Sequence, residues 1–273
     1  VGSEMCIRDS FMILDTLAQG ARQRAACKRD AVSLDEIKSM ALALPRDTGF
    51  PFEAALRKKG ISYICEVKKA SPSKGIIAED FPYLTIAKEY EQAGAAAISV
   101  LTEPEYFLGS DQYLKEIAQS VSIPILRKDF TVDEYQIYEA KTLGASAVLL
   151  ICSLLDYKTL NYFLEICGSL GLSALVEAHT TEEVGMAVKA GARIIGVNNR
   201  NLKTFDVDVS NCKKLRSLVP DNILFVAESG VKTHGDIDSL RKTGADAVLI
   251  GETLMKSADK KTALEMLNGG ALT

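Results

Sequence analysis

The chain has 273 residues, 47% hydrophobic and 25% charged, with a formal net charge of −4. That balance is the one of a soluble globular protein and excludes collagen-like, disordered and disulfide-scaffold classes. Net acidity argues against nucleic-acid binding, so an anionic small molecule has to be met by local positive groups. Residues 1–11 show no clear hydrophobic period, and Met12-Ile13-Leu14-Asp15 reads as a natural start. The stretch before it is expected to be a non-native leader outside the fold. Residues 12–60 read as an N-terminal helical extension. Met12–Lys28 has helical spacing, and Ser33-Leu34-Asp35-Glu36 is a capping box opening a second helix that Pro45 ends. Phe52–Lys59 reads as a third helix, with Gly60 after it. The extension serves either as a plug on the bottom of the following domain or as a cover on its functional face, and both readings stay open.

From residue 61 onward one short pattern recurs: Gly94-Ala95-Ala96-Ala97-Ile98, Gly144-Ala145-Ser146-Ala147-Val148, Gly191-Ala192-Arg193-Ile194-Ile195 and Gly244-Ala245-Asp246-Ala247-Val248. The glycines are 47 to 53 residues apart. Each follows a helix-like segment and opens an apolar run, the place of a helix-ending residue with positive φ. Four more apolar runs lie between them: Ile61–Val67, Ile123–Leu126, Leu172–Val176 and Ile223–Ala227. Eight runs at roughly 26-residue spacing are eight strand–helix units. They are apolar at alternate and intervening positions alike, as parallel strands buried on both faces should be. The prediction for residues 61–273 is therefore an α/β fold, a (β/α)8 TIM barrel forming a single catalytic domain. The competitor is an open doubly wound sheet, which usually has about five to seven strands.

Barrel enzymes place chemistry where strands end and the following loops begin. The first strand ends Glu66-Val67-Lys68, the third Leu126-Arg127-Lys128, the fifth Leu175-Val176-Glu177. Side chains alternate faces along a strand. Glu66 and Lys68 therefore share the inner face with Ile64, Lys128 with Leu126, and Glu177 with Leu175. Two lysines and two glutamates should converge on one mouth. Such a set suits acid–base work: a lysine near other lysines, or partly buried, is expected to lose pKa and become a usable acid, with a glutamate as base. A lone charge at a strand end is as readily a solvated one; four on strands that share a mouth are harder to explain that way.

The loops after strands seven and eight, Ser229-Gly230 before Thr233 and Gly251-Glu252-Thr253, read as a phosphate cradle or as ordinary tight turns. A bulky residue at Gly251 is expected mainly to raise KM. The first loop, Lys69-Ala70-Ser71-Pro72-Ser73-Lys74-Gly75, is basic and hydroxyl-rich, and either closes over an anion or stays a solvated loop. Leu101, Phe107, Phe130 and Leu149 lie at or just beyond strand ends and would suit an aromatic ring; Leu249 is counted with them as a substrate contact. Nucleotide-binding glycine motifs are absent. The six cysteines form no CxxC pair and suggest a reduced, cytoplasmic setting, and two histidines are too few for a multi-histidine metal site. No apolar run is long enough to span a membrane.

These segments together resemble the indole-3-glycerol-phosphate synthase family of tryptophan biosynthesis. The likeness is carried by Cys65-Glu66-Val67-Lys68-Lys69-Ala70-Ser71-Pro72-Ser73-Lys74-Gly75, Ser99-Val100-Leu101-Thr102-Glu103, Tyr106-Phe107-Leu108-Gly109 and Leu126-Arg127-Lys128-Asp129-Phe130. It continues through Leu175-Val176-Glu177, Gly196-Val197-Asn198-Asn199-Arg200-Asn201-Leu202, Glu228-Ser229-Gly230-Val231 and Leu249-Ile250-Gly251-Glu252. The resemblance implies a carboxy-lyase that turns 1-(2-carboxyphenylamino)-1-deoxyribulose 5-phosphate into indole-3-glycerol phosphate, carbon dioxide and water, without metal or organic cofactor. It implies Lys128 as the acid that protonates the substrate carbonyl and Glu177 as the facing acid/base. Lys68 would meet the anthranilate carboxylate, with Glu66 beside it. Asn198 and Ser229 would hold substrate hydroxyls, and Glu228 would support the lysines. Ser71, Gly230, Gly251 and Glu252 would bind phosphate, with Arg200 a further anion contact. The partner expected is a small anionic substrate, with neither nucleic acid nor membrane, and the chain is expected to be a monomer. The alternatives are a phosphoribosyl isomerase, a non-catalytic sugar-phosphate-binding barrel, and an interaction module working through the N-terminal helices. The isomerase would want a cysteine or aspartate acid–base pair where this chain has lysine and glutamate.

Overall fold

Gly94, Gly144, Gly191 and Gly244 have φ of 89°, 91°, 85° and 85°. A left-handed residue ends a helix by turning its last carbonyls, and only glycine takes that conformation without a Cβ penalty. Each glycine thus stops a helix and releases the chain into a strand. The computed structural model of the protein describes residues 3–199 and 210–270. The strands are β1 (Ser62–Val67), β2 (Ala97–Leu101), β3 (Ile125–Lys128), β4 (Ala147–Ile151), β5 (Ser173–Ala178), β6 (Ile194–Asn198), β7 (Leu224–Glu228) and β8 (Ala247–Ile250). All are parallel, each pairs with the next, and β8 pairs with β1, so the barrel closes. This is the (β/α)8 architecture. An open sheet would leave β1 and β8 as edges.

The register follows the predicted alternation. Ile64, Leu126, Leu175 and Val226 point inward to one apolar cluster. Their neighbours Cys65, Ile125, Val176 and Phe225 point outward to a second, under the helices. Those helices are α4 (Tyr83–Gln92), α5 (Asp111–Ser120), α6 (Glu134–Thr142), α7 (Tyr157–Leu170), α8 (Thr181–Lys189), α9 (Ser210–Arg216), α10 (His234–Thr243), the short α11 (Glu252–Met255) and α12 (Lys260–Asn268). Thr233 caps α10 and Asp259 caps α12. Ser110, Asp133, Asp156 and Thr180 cap four others. Each such cap is worth about 1 kcal/mol. Among the described residues no helix is long and apolar enough to cross a membrane.

The N-terminal helices are α1 (Ser3–Ala31), α2 (Leu34–Ala43) and α3 (Pro51–Leu56), numbered here ahead of α4 in chain order. The first corrects one expectation: the helix does not begin at Met12 but continues back through the supposed leader to Ser3. No glycine or proline interrupts residues 3–19, so nothing local stops it. The third helix is shorter than its pattern, ending at Leu56 before the turn at Gly60.

The open choice between plug and cover resolves by division of labour. Phe52 and Leu56 of α3 are fully buried in the inner cluster, against residues at the strand starts such as Ala97, Leu224 and Ala247. Glu53 beside them accepts from Ser173 at 3.2 Å and pairs with Arg193 at 2.8 Å. So α3 plugs the barrel bottom. At the opposite end, Arg24 of α1 pairs with Glu103 at 3.5 Å and Asp129 at 3.4 Å, and Lys28 pairs with Asp111 and with Glu139 at 2.7 Å. So α1 is strapped across the mouth. Lys141 of α6 donates to the Pro45 carbonyl at 2.7 Å, where α2 lies against the outside. Because Phe52 fills the barrel bottom, Phe52→Ala should lower unfolding stability by about 3–5 kcal/mol, read as a reduced urea midpoint at unchanged slope.

Candidate active site

The alternation that buries Ile64, Leu126, Leu175 and Val226 carries two residues further to Glu66, Lys128, Glu177 and Glu228, all on the inner face at the C-terminal ends of their strands. They line a cavity of about 600 Å³ at that end of the barrel. Lys128 Nζ stands between two carboxylates, 3.7 Å from Glu228 and 4.0 Å from Glu177. Lys68, two residues past Glu66, bonds to it at the end of β1. Asn198 lies opposite Glu228 in the β6–β7 register and hydrogen-bonds Glu177.

These groups set one another's charge. Burial opposes the ammonium of Lys128, but Glu228, Glu66 and Glu177 outweigh it and hold the group above the usual lysine range. This corrects the expectation of a depressed lysine: the near charges are carboxylates, and they favour the proton. Burial pushes Glu228 up, helped by the negative charge of Glu177, to about 8. Neither Glu228 oxygen has a hydrogen-bond partner among the described residues, so its ionised form is supported only by the charges of Lys128 and His179. Burial works the same way on Glu177, but contacts with His179, Lys128 and Asn198 overcome it and bring the group down to about 2. Burial raises Glu66 too, and Lys68 and Lys128 more than offset that. The mouth therefore favours the ionised forms of Glu66 and Glu177 and the protonated form of Lys128, and disfavours the ionised form of Glu228. Glu228 can sit there because residue 196 has no side chain: a Cβ at Gly196 would fall 2.2 Å from its Oε1.

The loops close around the charges. Ser229 and Gly230 both have positive φ, 66° and 88°. The left-handed region costs a serine about 1–2 kcal/mol. Asn199 offsets it, donating from its amide side chain to the Ser229 carbonyl at 3.1 Å and from its backbone to the Glu228 carbonyl at 2.8 Å. Thr253 Oγ1 donates to the Val231 carbonyl at 2.7 Å and ties the β8 loop to the β7 loop. Ser71 belongs to a two-residue ribbon paired with Gly75–Ile76, and Lys74 reaches within 3.9 Å of Glu252. The first loop is thus folded against the eighth. Leu101, Phe107, Phe130, Leu149 and Leu249 line the cavity, with the Phe107 and Phe130 rings 6.2 Å apart. Glu103 shapes this wall by accepting three backbone N–H bonds from Glu105, Tyr106 and Phe107.

Every predicted site residue except one comes to this cavity: Arg200 lies outside the described residues. Several contributors were not among the predicted site residues. Ile13, Leu14 and Leu17 of α1 form part of the apolar wall, and only their helical spacing was visible. Asn199 faces away from the mouth interior and acts through a turn. His179 pairs with Glu177 at 3.3 Å and is two residues past it, a same-face spacing that was legible.

A closed (β/α)8 barrel that gathers lysines against carboxylates at its mouth defines an acid–base enzyme of the barrel class. The sequence profile of the indole-3-glycerol phosphate synthase family matches residues 14–267. An indole-3-glycerol phosphate synthase of Ruminiclostridium cellulolyticum is 58% identical over 95% of this chain and 100% of that protein. One of Endomicrobium trichonymphae is 56% identical over 91% of this chain and 96% of that one. The chain belongs to the indole-3-glycerol phosphate synthase family. Among solved structures, a 3-hexulose-6-phosphate synthase aligns with a TM-score of 0.62 at 15% identity, over 78% of this chain and 100% of that one. A thiamine phosphate pyrophosphorylase from Pyrococcus furiosus aligns at 0.58 and 20%, over 78% and 96%. At such identities the likeness is one of fold.

One expectation about the loops changes. A Cβ on Gly251 would lie 2.5 Å from Glu66 Oε1 and 2.8 Å from Lys68 Nζ, so this loop forms a wall of the Glu66–Lys68 pair. Gly251→Ala should therefore lower kcat as well as raise KM, by about 10²-fold in kcat/KM, in steady-state assays. A change confined to KM would show that the pair moves aside freely.

Proposed function

We propose that the mouth performs the family reaction with Lys128 as the acid of ring closure and Glu177 as the base that faces it. The observation that carries this is the placement of Lys128 in a buried cleft, 3.7 Å from Glu228 and 4.0 Å from Glu177. The substrate is 1-(2-carboxyphenylamino)-1-deoxyribulose 5-phosphate. Its ring carbon bearing the carboxylate attacks the sugar carbonyl carbon, and Lys128 gives the carbonyl oxygen its proton. The carbon–carbon bond forms as the aryl ring loses aromaticity and becomes cationic. Carbon dioxide then leaves without its bonding electrons, which restore the ring. The new hydroxyl departs as water on taking a proton from an acid, while a base takes a proton from the adjoining sugar carbon. The products balance as indole-3-glycerol phosphate, carbon dioxide and water.

The Glu66–Lys68 pair supports a role at the substrate carboxylate and in the dehydration, since it offers a cation and a base side by side. The ring wall of Phe107, Phe130, Leu101 and Leu149 suits the anthranilate face. The joined loops carrying Ser71, Gly230, Gly251 and Glu252 suit the phosphate, by backbone N–H groups and helix N-termini. Asn198 and Ser229 line the same cavity and suit sugar hydroxyls. The reading is of a cytoplasmic monomer acting on a small anion, without metal or organic cofactor. Lys128→Ala should cut kcat by about 10²–10⁴-fold while the substrate still binds, with turnover followed by indole fluorescence and binding by calorimetry. Equal loss of binding and turnover would remove Lys128 from the acid role, and absence of turnover by folded wild-type protein would overturn the whole reading.

A further inference from the structure

His179 follows β5 directly, two residues beyond Glu177. Its Nε2 lies 3.3 Å from Glu177 Oε1 and its Nδ1 lies 3.5 Å from Glu183 Oε2. Glu183 is itself anchored on the first turn of α8. Its carboxylate accepts the His179 backbone N–H at 2.6 Å, and its own backbone donates to the Thr180 hydroxyl at 3.2 Å. The ring is largely buried, and Nε2 has no aligned hydrogen-bond partner, so it meets Glu177 as a charge contact. Among the described ion pairs His179, not Lys128, is the nearest cation to Glu177: 3.3 Å against 4.0 Å.

We propose that His179 is a positioning residue: held between the carboxylates of Glu177 and Glu183, it fixes the Glu177 side chain in its place opposite Lys128. This rests on the reading of Glu177 as the base. Burial works against the imidazolium, but Glu177 and Glu183 outweigh it and push the group up to about 10. The charged and titratable groups around the pair are Lys128 from β3, Glu66 from β1, Glu228 from β7 and Cys152 from the turn after β4, whose thiol burial pushes up to about 12. None of these besides Lys128 is a cation. Without His179, Glu177 keeps its burial and the repulsion of Glu66, and loses its nearest opposing charge. Its pKa then rises, and the ionised base is lost from the acid side. Raising the pH through about 10 in the wild-type protein strips the proton from His179 and releases the clamp.

The test uses the full chain with His179→Gln, His179→Lys and Glu183→Gln, with kcat and KM measured against pH. His179→Gln should shift the acidic limb of kcat upward by about one unit or more, and lower kcat near neutrality by about 10-fold at nearly constant KM. His179→Lys should restore the limb, and Glu183→Gln should shift it in the same direction by less. A kcat that falls equally at every pH, or a limb that does not move, overturns the proposal. Nitrogen-15 NMR of the two imidazoles gives a readout free of activity. In wild-type protein His179 should stay protonated through pH 8, and Glu183→Gln, on the outer side of the clamp, should lower its titration point. Titration of wild-type His179 near about 6.5 overturns the clamp, whether or not His179→Gln folds. Absent turnover with His179 still protonated would sink the functional reading and leave the clamp standing.

Discussion

Charge compensation within a dry space is the constraint on which this mouth depends. Glu66, Lys128, Glu177 and Glu228 stand at the end of strands whose inner faces are otherwise apolar, and all are largely buried. Removing one such ion from water costs several kcal/mol unless a partner offsets it. The site answers by pairing Lys68 with Glu66, by setting Lys128 between Glu177 and Glu228, and by raising the proton affinity of Glu228. A cluster balanced in this way is poised for chemistry. Adding a substrate carboxylate, or moving one proton, changes the charge of every other member, which is how a site of lysines and glutamates can pass protons without histidine at its centre.

The two ends of the barrel are closed by different physics. At the bottom, α3 inserts Phe52 and Leu56 into the apolar interior, a contact that works by excluding water and by shape. At the mouth, α1 lies over a bed of ions. Arg24 and Lys28 meet Glu103, Asp129, Asp111 and Glu139, and Arg127 underneath bonds Asp111 and Glu139 at 2.8 Å each. A polar seam of this kind tolerates water and small displacements, where an apolar plug does not. The same helix presents Ile13, Leu14 and Leu17 to the cavity, so the strap also completes the apolar wall.

Glycine has a further part in the site, as space. Gly196 leaves room for the Glu228 carboxyl, and Gly251 leaves room for Glu66 and Lys68. The loop read as a phosphate turn is thereby a wall of the acid–base pair. The β8 loop and the end of β1 thus approach more closely than a Cβ at residue 251 would allow.

The sequence by itself determined the barrel, because helix-ending glycines and doubly buried strands leave a local record: a left-handed turn needs glycine, and a strand covered on both faces needs apolar residues at every position. It also determined which strand-end residues face inward, since alternation is a property of the backbone and Glu66, Lys128 and Glu177 could be counted from Ile64, Leu126 and Leu175. The spacing of Glu177 and His179 carried the same signal, though nothing local announced that the second carboxylate of the clamp would come from α8. Only the tertiary structure decided the rest: the division of the extension into plug and strap, the raised proton affinity of Lys128, and the contact of Gly251 with Glu66. These depend on distances between segments remote along the chain, and a charge or a clash acts through space, where the order of residues leaves no mark.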